Sequence, residues 1–175
     1  MTPDDFGPGD IVVSLGCGGG AWEIGWMYRT VGLTCFLVDI DAGLLNEAEV
    51  AAGIGYWERQ GNGPALARFI PVIGTENSVP LPDGYADKVL ILNALHEFDF
   101  PDNMLSEARR ILKSGGCLYI QEEEPRFPGE KHEGCGRELF SPPDLIQKVQ
   151  ARGFSGDLIS RTPDSQACLL TFYAC

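Results

Sequence analysis

A glycine cluster and one aspartate have the residue types and spacing of a ligand site. An apolar run over residues 11–15 leads into Gly16, Gly18 and Gly20. Glycines let a backbone turn tightly and let a ligand approach, and a helix that begins there offers free N–H donors. Asp39 ends the next apolar run, nineteen residues past Gly20. In a doubly wound sheet its carboxylate would lie beside the glycines and accept both hydroxyls of a ribose. The pair predicts an adenosine site.

The glycine loop alone leaves the class of cofactor open. Gly16, Gly18 and Ala21 also satisfy G-x-G-x-x-A, the fingerprint of dinucleotide binding. Another adenosine cofactor fits the same spacing, and a tight strand-to-helix turn with no ligand is the structural alternative.

The elements that must position these residues alternate between strand and helix. Apolar runs without strict alternation are typical of strands buried on both faces. They predict strands at 11–15, 34–40, 68–73, 88–93, 117–121, 157–160 and 167–174. Helical spacing predicts helices at 22–29, 42–59, 101–112 and 141–152. The order predicts an α/β fold: a Rossmann-like, doubly wound, mostly parallel seven-stranded sheet with helices on both faces. The last two runs lie too close for a crossover helix, which predicts an antiparallel C-terminal hairpin.

Helix faces and ends are also predicted. The buried stripe of 42–59 is expected to be Leu45, Ala48, Ala52 and Tyr56, and that of 101–112 to be Leu105, Ala108, Ile111 and Leu112. Ser141 is the predicted N-cap of the last helix, and Asp99 is predicted on the N-cap side of the helix that begins at Pro101.

Composition limits the classes of function. The chain has 175 residues, enough for one domain, and thirteen Lys and Arg against twenty-five Asp and Glu give a net charge of −12. Nucleic acids and anionic membranes attract basic surfaces, so we predict neither as a partner. No apolar run approaches the roughly 20 residues of a membrane span, and we predict a cytoplasmic protein. The six cysteines include no C-x-x-C pair, and Cys35, Cys117 and Cys168 lie in apolar runs as expected for buried free thiols.

Six segments, in order along nearly the whole chain, resemble the motifs of class I S-adenosylmethionine-dependent methyltransferases, most closely the broad type 11 subgroup. The first is GDIVVSLGCGGG at residues 9–20, and VDID at 38–41 is similar to the acidic turn that binds ribose. The others are GTENSVPLPDGYAD at 74–87, NALHE at 93–97, RRILKSGG at 109–116, and SPPDL at 141–145 with GF at 153–154. One glycine loop would be weak evidence, whereas six ordered motifs are strong evidence.

The resemblance implies one methyltransferase domain over residues 1–175, with S-adenosyl-L-methionine as cofactor and a small-molecule substrate. It implies that the cofactor site is formed by Gly16, Cys17, Gly18, Gly20, Asp39, Ile40, Thr75, Glu76, Asn93 and Ala94. Methyl transfer from a sulfonium is an in-line displacement with a neutral leaving group. The protein therefore has mainly to align the acceptor with the methyl group.

Three departures from the family pattern concern the affinity for the cofactor and the enclosure of the substrate. Ser14 stands where the family usually has an acid that helps to hold the amino acid end of the cofactor. Thr75 stands where the family often has an aspartate that reaches the adenine amino group. About ten residues precede the first strand, so we expect a domain without the usual N-terminal helical cap. We therefore expect an open active site, or one closed by another partner or by a second copy in a homodimer.

His96 is the leading candidate for a catalytic general base. It follows the fourth strand, at the end of the sheet where this fold binds ligands, and imidazole titrates near neutrality. Two structural roles, capping its loop or packing beneath the nearby phenyl ring, are equally compatible with the sequence. Glu97 would steer a cationic acceptor or lie solvated in the loop.

The long segment 122–140 predicts a loop, with a substrate lid as its functional interpretation. Its acids and His132 could bind a metal, but they lack tight ligand spacing, so we predict a solvated acidic loop and no metal.

Two other functions compete with methyl transfer. A degenerate relative would keep the fold and act as a binding or regulatory partner, which the departures at Ser14 and Thr75 suggest. A nicotinamide-dependent oxidoreductase would use the dinucleotide fingerprint, although 175 residues leave no room for a substrate domain.

Overall fold

The computed structural model describes residues 5–161 and 167–174. The strands are β1 (Ile11–Leu15), β2 (Thr34–Asp39), β3 (Arg68–Ile73), β4 (Ala86–Leu92), β5 (Leu112–Glu123), β6 (Phe154–Arg161) and β7 (Ala167–Ala174). The helices are α1 (Ala21–Met27), α2 (Glu47–Trp57), α3 (Pro101–Ile111) and α4 (Pro142–Gln150).

The strands form one seven-stranded sheet in the order β3-β2-β1-β4-β5-β7-β6. β1 to β5 are parallel, and β7 runs antiparallel to both of its neighbours, β5 and β6. The chain order reverses direction at β1, between β2 and β4, which is the switch point where doubly wound folds bind ligands. The predicted fold class and the predicted antiparallel hairpin are both confirmed. The turn of that hairpin, residues 162–166, lies outside the described residues.

Helices cover both faces of the sheet because alternate strand residues point to opposite sides. On one face α1 and α2 pack Ile24, Met27 and Val50 into a core with Val12 and Leu37. On the other face α3 and α4 pack against Val13, Leu15 and the inner residues of β4 and β5. The predicted stripe of α3 is confirmed, since Leu105, Ala108, Ile111 and Leu112 are all buried.

The predicted start of the second helix is wrong, and of its predicted stripe only Leu45, which precedes the helix, is buried. α2 begins after Asn46, whose side-chain oxygen accepts hydrogen bonds from the amides of Ala48 (3.0 Å) and Glu49 (3.1 Å). An asparagine cap of this kind ends the preceding turn and fixes where the helix begins. The packed face is then Val50, Ile54 and Trp57, whereas Ala48, Ala52 and Tyr56 are exposed.

Other element ends differ by a few residues. β5 begins at Leu112, directly after α3, so the glycines at 115 and 116 lie inside a strand whose pairing with β4 has an irregular register. β6 begins at Phe154 rather than 157. Ser141 caps α4 as predicted, accepting a hydrogen bond from the Asp144 amide. In the described part of the chain no helix is long and apolar enough to cross a membrane. Cys17, Cys35, Cys117 and Cys135 form no disulfide among the described residues. Cys35, Cys117 and Cys168 are buried as predicted.

Candidate active site

A pocket opens beyond the carboxyl ends of β1, β2 and β4, at the switch point of the sheet. Six of the ten predicted cofactor residues line it: Gly16, Asp39, Ile40, Thr75, Glu76 and Ala94. The rest of the lining is Val38, Gly74, Glu97, Phe98, Asp99 and Met104. Four carboxylates among the twelve lining residues favour a neutral or cationic ligand over an anion.

Asp39 joins the pocket to the glycine loop. Its Oδ2 accepts a hydrogen bond from the Gly18 amide at 2.7 Å, and its Oδ1 accepts one from the Asp41 amide at 3.0 Å. A carboxylate has about four acceptor positions, so both oxygens can still accept from a ligand hydroxyl. The side chain is therefore fixed in orientation and remains able to bind a ribose.

The glycine loop has a backbone that side chains would disturb. Gly16 has φ +70°, and an added Cβ would lie 2.8 Å from Ala94 Cβ and 2.9 Å from Phe98 Cε1. Gly18 has φ +53° and open space where its side chain would be. Gly16 thus lets the loop after β4 pack against the end of β1, whereas Gly18 leaves its surface clear for a ligand.

The other predicted cofactor residues border the pocket lining without being part of it. Cys17 bonds through its amide to the Val38 carbonyl, and burial, with smaller effects of the Glu23 and Asp39 carboxylates, raises the pKa of its thiol. Gly20 adopts a left-handed conformation at the start of α1. Asn93 has φ +52° at the end of β4 and lies exposed. The structure therefore places these three, with Gly18, around the pocket rather than in its wall.

Thr75 uses its hydroxyl in a local turn. Its Oγ1 accepts hydrogen bonds from the amides of Asn77 (3.3 Å) and Ser78 (3.0 Å). The segment beyond this turn is held by Arg110, which donates to the carbonyls of Val79 (2.9 Å) and Leu81 (2.8 Å). The pocket wall at 74–76 is thus anchored from α3.

A buried acid lies next to Ser14, the position where the family usually has an acid. Glu23, in the first turn of α1, accepts a hydrogen bond from Ser14 Oγ at 2.6 Å. Its other carboxylate oxygen is buried and has no hydrogen-bond partner within the described chain. Burial raises the pKa of the Glu23 carboxyl, and the Ser14 hydrogen bond offsets this only partly. Sequence reasoning missed Glu23, although its place nine residues after Ser14, in a first helical turn, was visible.

His96 is buried in the 3₁₀ turn after β4, and its side chain is only 1% exposed. Its Nδ1 lies 2.5 Å from Glu122 Oε2, and the other Glu122 oxygen accepts the Leu95 amide at 2.8 Å. Burial by itself lowers the pKa of this imidazole, but the Glu122 carboxylate outweighs burial and the pKa is raised. His96 lies behind the pocket wall, next to Glu97. Whether it acts as a base stays a prediction.

The segment after β5 forms a small hairpin, residues 131–138, whose tip approaches His96. Lys131 and Glu138 form a bridge, and the His132 amide donates to the Arg137 carbonyl at 2.8 Å. The ring of His132 lies 4.8 Å from that of His96. Glu122 is fully buried at the end of β5, so the prediction of a solvated acidic loop is wrong for this residue.

Asp99 links the hairpin to the pocket. The predicted N-cap role of Asp99 is wrong, because Phe100 occupies the cap and no side-chain bond is made there. Asp99 instead forms an ion pair with Arg137 of the hairpin. The arginine provides a partner for the Asp99 carboxylate, so this side chain need not cap the helix. The ion pair connects the hairpin to the loop after β4.

Known proteins resemble this chain both in sequence and in fold. The family model described as "Methyltransferase domain" matches residues 13–120, more than half of the chain. The chain therefore belongs to the methyltransferase domain family, within the class I S-adenosylmethionine-dependent methyltransferases, and the cofactor of that family is S-adenosylmethionine.

Individual relatives agree with this assignment. The probable methyltransferase ltbC of Aspergillus luteorubrus is 30% identical over 117 residues, which are 65% of this chain and 40% of that protein. The ubiquinone/menaquinone biosynthesis C-methyltransferase UbiE of Chromobacterium violaceum is 30% identical over 125 residues, 70% of this chain and 46% of that protein. The chain thus spans less than half the length of these curated relatives.

The fold is shared with solved structures. The crystal structure of an S-adenosylmethionine-dependent methyltransferase from Aquifex aeolicus superposes with a TM-score of 0.72 over 99% of this chain and 89% of that chain. The two sequences are 17% identical, so this likeness concerns the fold.

Proposed function

We propose that this chain transfers a methyl group from S-adenosylmethionine to a small-molecule acceptor. The observation that carries the proposal is the Asp39 carboxylate, fixed by the Gly18 amide at 2.7 Å and lining a pocket at the switch point of the sheet. This is the place and the residue type with which doubly wound folds bind a ribose. Membership of the methyltransferase domain family identifies the adenosine cofactor that would bring that ribose.

The residues around the pocket fit this cofactor. Asp39 would accept the ribose hydroxyls, and Ile40, Thr75 and Glu76 line the side of the pocket where the adenine would lie. Gly18 would let the chain of the cofactor pass close to the backbone, because no atom lies within 4 Å of where its side chain would be. Glu23 is buried outside the pocket lining, and its second carboxylate oxygen has no hydrogen-bond partner among the described residues. That oxygen would attract the amino group of the methionine end where the cofactor extends beyond the lining. Glu23 would thus replace the acid that is missing at Ser14.

S-adenosylmethionine, when bound, supplies a methyl group on a cationic sulfonium that leaves as a neutral thioether. The protein needs no acid to expel such a leaving group, and its contribution is to hold the acceptor in line. Glu97, Phe98 and Met104 line the pocket on the side of β4 and α3 and would contact the acceptor. The carboxylates of Glu97 and Asp99 would favour a cationic or neutral acceptor.

The proposal also specifies the class of acceptor, which is a small molecule. The pocket is lined by twelve residues, as expected for a small ligand. The net charge of −12 disfavours nucleic acid as the acceptor. The name of UbiE, a relative from ubiquinone/menaquinone biosynthesis, points the same way. Closure of the pocket by a second copy of the chain also remains a prediction, which the molecular mass in solution would test.

Binding calorimetry with S-adenosylmethionine and S-adenosylhomocysteine tests the proposal. We expect one site per chain for both ligands and a rise in the melting temperature with either. Incubation with candidate small molecules should then form S-adenosylhomocysteine only when an acceptor is present. Lack of binding and of thermal stabilisation at millimolar cofactor would refute the proposal and favour a degenerate binding partner. Displacement of S-adenosylhomocysteine by NADH would instead favour an oxidoreductase.

A further inference from the structure

We propose that the chain has a zinc site formed by His96, Glu97, His132 and Cys135. One ligand atom from each of these residues lies within 4.8 Å of the others. Two of the pairs are closer: His132 Nδ1 lies 3.3 Å from Cys135 Sγ, and His96 Nε2 lies 3.9 Å from Glu97 Oε1. Zinc bond lengths of about 2.0–2.3 Å place ligand atoms about 3.5 Å apart in a tetrahedron. Small side-chain movements would therefore close the four groups around one ion.

His96 Nε2 is the strongest indication of a ligand. The side chain is 1% exposed, and within the described residues this nitrogen has no hydrogen-bond partner. A buried polar atom without a partner is destabilising and is rare in folded proteins. The nitrogen lies 3.9 Å from Glu97 Oε1, and the ring of His132 lies 4.8 Å from that of His96. A cation between these groups would satisfy it.

A carboxylate lies beside one ring nitrogen of each histidine. Glu122 occupies Nδ1 of His96 at 2.5 Å, which leaves Nε2 as the nitrogen that can bind a metal. Glu123 lies 3.8 Å from Nε2 of His132, on the far side of the ring from the Nδ1 that faces Cys135. Metal-binding histidines commonly present their second nitrogen to a carboxylate, which fixes the ring and raises its basicity. His96 has this arrangement, whereas the Glu123 carboxylate lies near His132 as a charge, beyond hydrogen-bond distance.

The donor set selects the metal. Two imidazoles, one thiolate and one carboxylate suit zinc and other late divalent ions, whereas magnesium and calcium take oxygen donors. The formal charge is also suitable, because thiolate and carboxylate together neutralise a divalent cation. Arg137, the nearest guanidinium of the hairpin, is already paired with Asp99. Four protein ligands make a closed site of the structural type.

The site would join two segments that border the pocket. His96 and Glu97 belong to the turn after β4, and His132 and Cys135 belong to the hairpin 131–138. A bound ion would hold that hairpin beside Glu97, which lines the pocket. This goes beyond the proposed methyl transfer and departs from the expectation of no metal. In the zinc-bound chain His96 Nε2 and the Glu97 carboxylate would both be ligands. His96 could then not act as a base, and Asp99 rather than Glu97 would be the carboxylate beside the acceptor.

The test is zinc binding by the full chain, stripped with a chelator and kept reduced. Competition with a chromophoric chelator gives the zinc affinity, and Co²⁺ in place of zinc reports thiolate ligation through its charge-transfer absorption. The variants are Cys135→Ser and His132→Ala, both on the hairpin, with Glu133→Gln as the matched control. Glu133 is an exposed acid between the two ligands and lies outside the cluster. Circular dichroism verifies that each variant is folded.

We expect one zinc ion per wild-type chain, and a melting temperature that rises with zinc. Loss of a group that only orients a ligand costs 10–100-fold in affinity, so loss of a ligand should cost more than about 100-fold. Cys135→Ser should also abolish the charge-transfer absorption, and Glu133→Gln should bind like the wild type. The proposal is overturned if the wild type binds no zinc, or if Cys135→Ser and His132→Ala bind it as tightly. Because the readout is metal binding, it is independent of whether S-adenosylmethionine binds.

Discussion

Glu122 and His96 form a buried pair that couples the central strands to the turn bordering the pocket. The Glu122 side chain is fully buried at the end of β5, and its two oxygens accept from His96 Nδ1 (2.5 Å) and from the Leu95 amide (2.8 Å). One carboxylate therefore holds both the backbone and the side chain of the turn after β4. Any role of His96, as base or as ligand, depends on this arrangement.

Glu122→Gln should destabilise the protein by about 1–3 kcal/mol, because the amide keeps one acceptor oxygen for one donor and turns its N–H₂ group toward the other. Urea unfolding followed by circular dichroism measures the change in the free energy of unfolding. Glu49→Gln, an exposed acid on α2, is the matched control and should change it by less than about 0.5 kcal/mol. Equal effects of the two substitutions would contradict a structural role for the pair.

Asp39→Ala should remove most of the affinity for S-adenosylhomocysteine and leave the protein folded. Hydrogen bonds to a charged group contribute about 1.5–3 kcal/mol, so a loss of roughly 10–100-fold or more is expected. Calorimetry measures the affinity, and the melting temperature without ligand verifies the fold. Asp41→Ala is the control, because the Asp41 side chain accepts a hydrogen bond within its own turn, from the Gly43 amide at 2.7 Å. Unchanged affinity in Asp39→Ala would mean that the ribose lies elsewhere.

The fold could be predicted where one periodicity dominated. The bounds of β1, β3 and β7 agree with the predicted runs 11–15, 68–73 and 167–174, because parallel or central strands are apolar throughout. The buried face of α3 was predicted because its apolar positions alternate clearly with charges. In α2 the apolar residues are spread around the helix, so the stripe depended on the starting point, and the Asn46 cap moved that point.

The site likewise contains residues whose positions the sequence could predict and residues whose positions it could not. Asp39 and Gly16 follow predicted strands directly, so topology alone brings them to one pocket. His96 and His132 are separated by 35 intervening residues, and their contact depends on the path of the chain after β5, which no periodicity describes. The burial of Glu122 was missed because a run of three glutamates predicts a solvated loop, whereas the extension of β5 carries the first of them into the core.

Arg110→Ala should loosen the pocket wall. The guanidinium donates to the carbonyls of Val79 and Leu81 and pairs with Asp83 (2.6 Å) and Glu107 (2.7 Å). We expect a loss of about 1–3 kcal/mol in unfolding free energy and weaker binding of S-adenosylhomocysteine, because Thr75 and Glu76 lie in the same connection. Arg110→Lys keeps the charge but loses the planar fork, so it should restore only part of the stability.

Arg109→Ala is the matched control for this arginine, since Arg109 lies beside it on α3 and bonds away from the pocket, to the Gly153 carbonyl at 3.3 Å. It should leave cofactor affinity unchanged. The Arg110 hydrogen bond holds the pKa of Glu107 below its usual value, although burial opposes the shift. The stability from this pair is therefore present above about pH 4.5 and is lost as the pH falls through the pKa of folded Glu107. Equal cofactor affinities in Arg109→Ala and Arg110→Ala would contradict an anchoring role.

The contribution of Glu23 to stability depends on pH in the opposite sense to that of Glu107. Burial raises the pKa of its carboxyl in the folded protein, whereas the unfolded chain ionises it near 4.5. Between these two values the folded state holds a proton that the unfolded state has released. The free energy of unfolding therefore falls as the pH rises through this window. Below it, Glu23 and a glutamine at the same position are both neutral, and the wild type and Glu23→Gln should be about equally stable.

Glu23→Gln should consequently gain stability relative to the wild type as the pH rises from about 4.5 to 8, measured by urea unfolding at several pH values. The same substitution should weaken S-adenosylmethionine binding, because glutamine cannot release a proton and pair as a carboxylate with the cofactor amino group. Glu47→Gln, an exposed acid in the first turn of α2, is the control and should show neither effect. A stability difference that does not change with pH would show that Glu23 is ionised in the folded protein. Unchanged cofactor affinity would show that Glu23 does not replace the missing acid at Ser14.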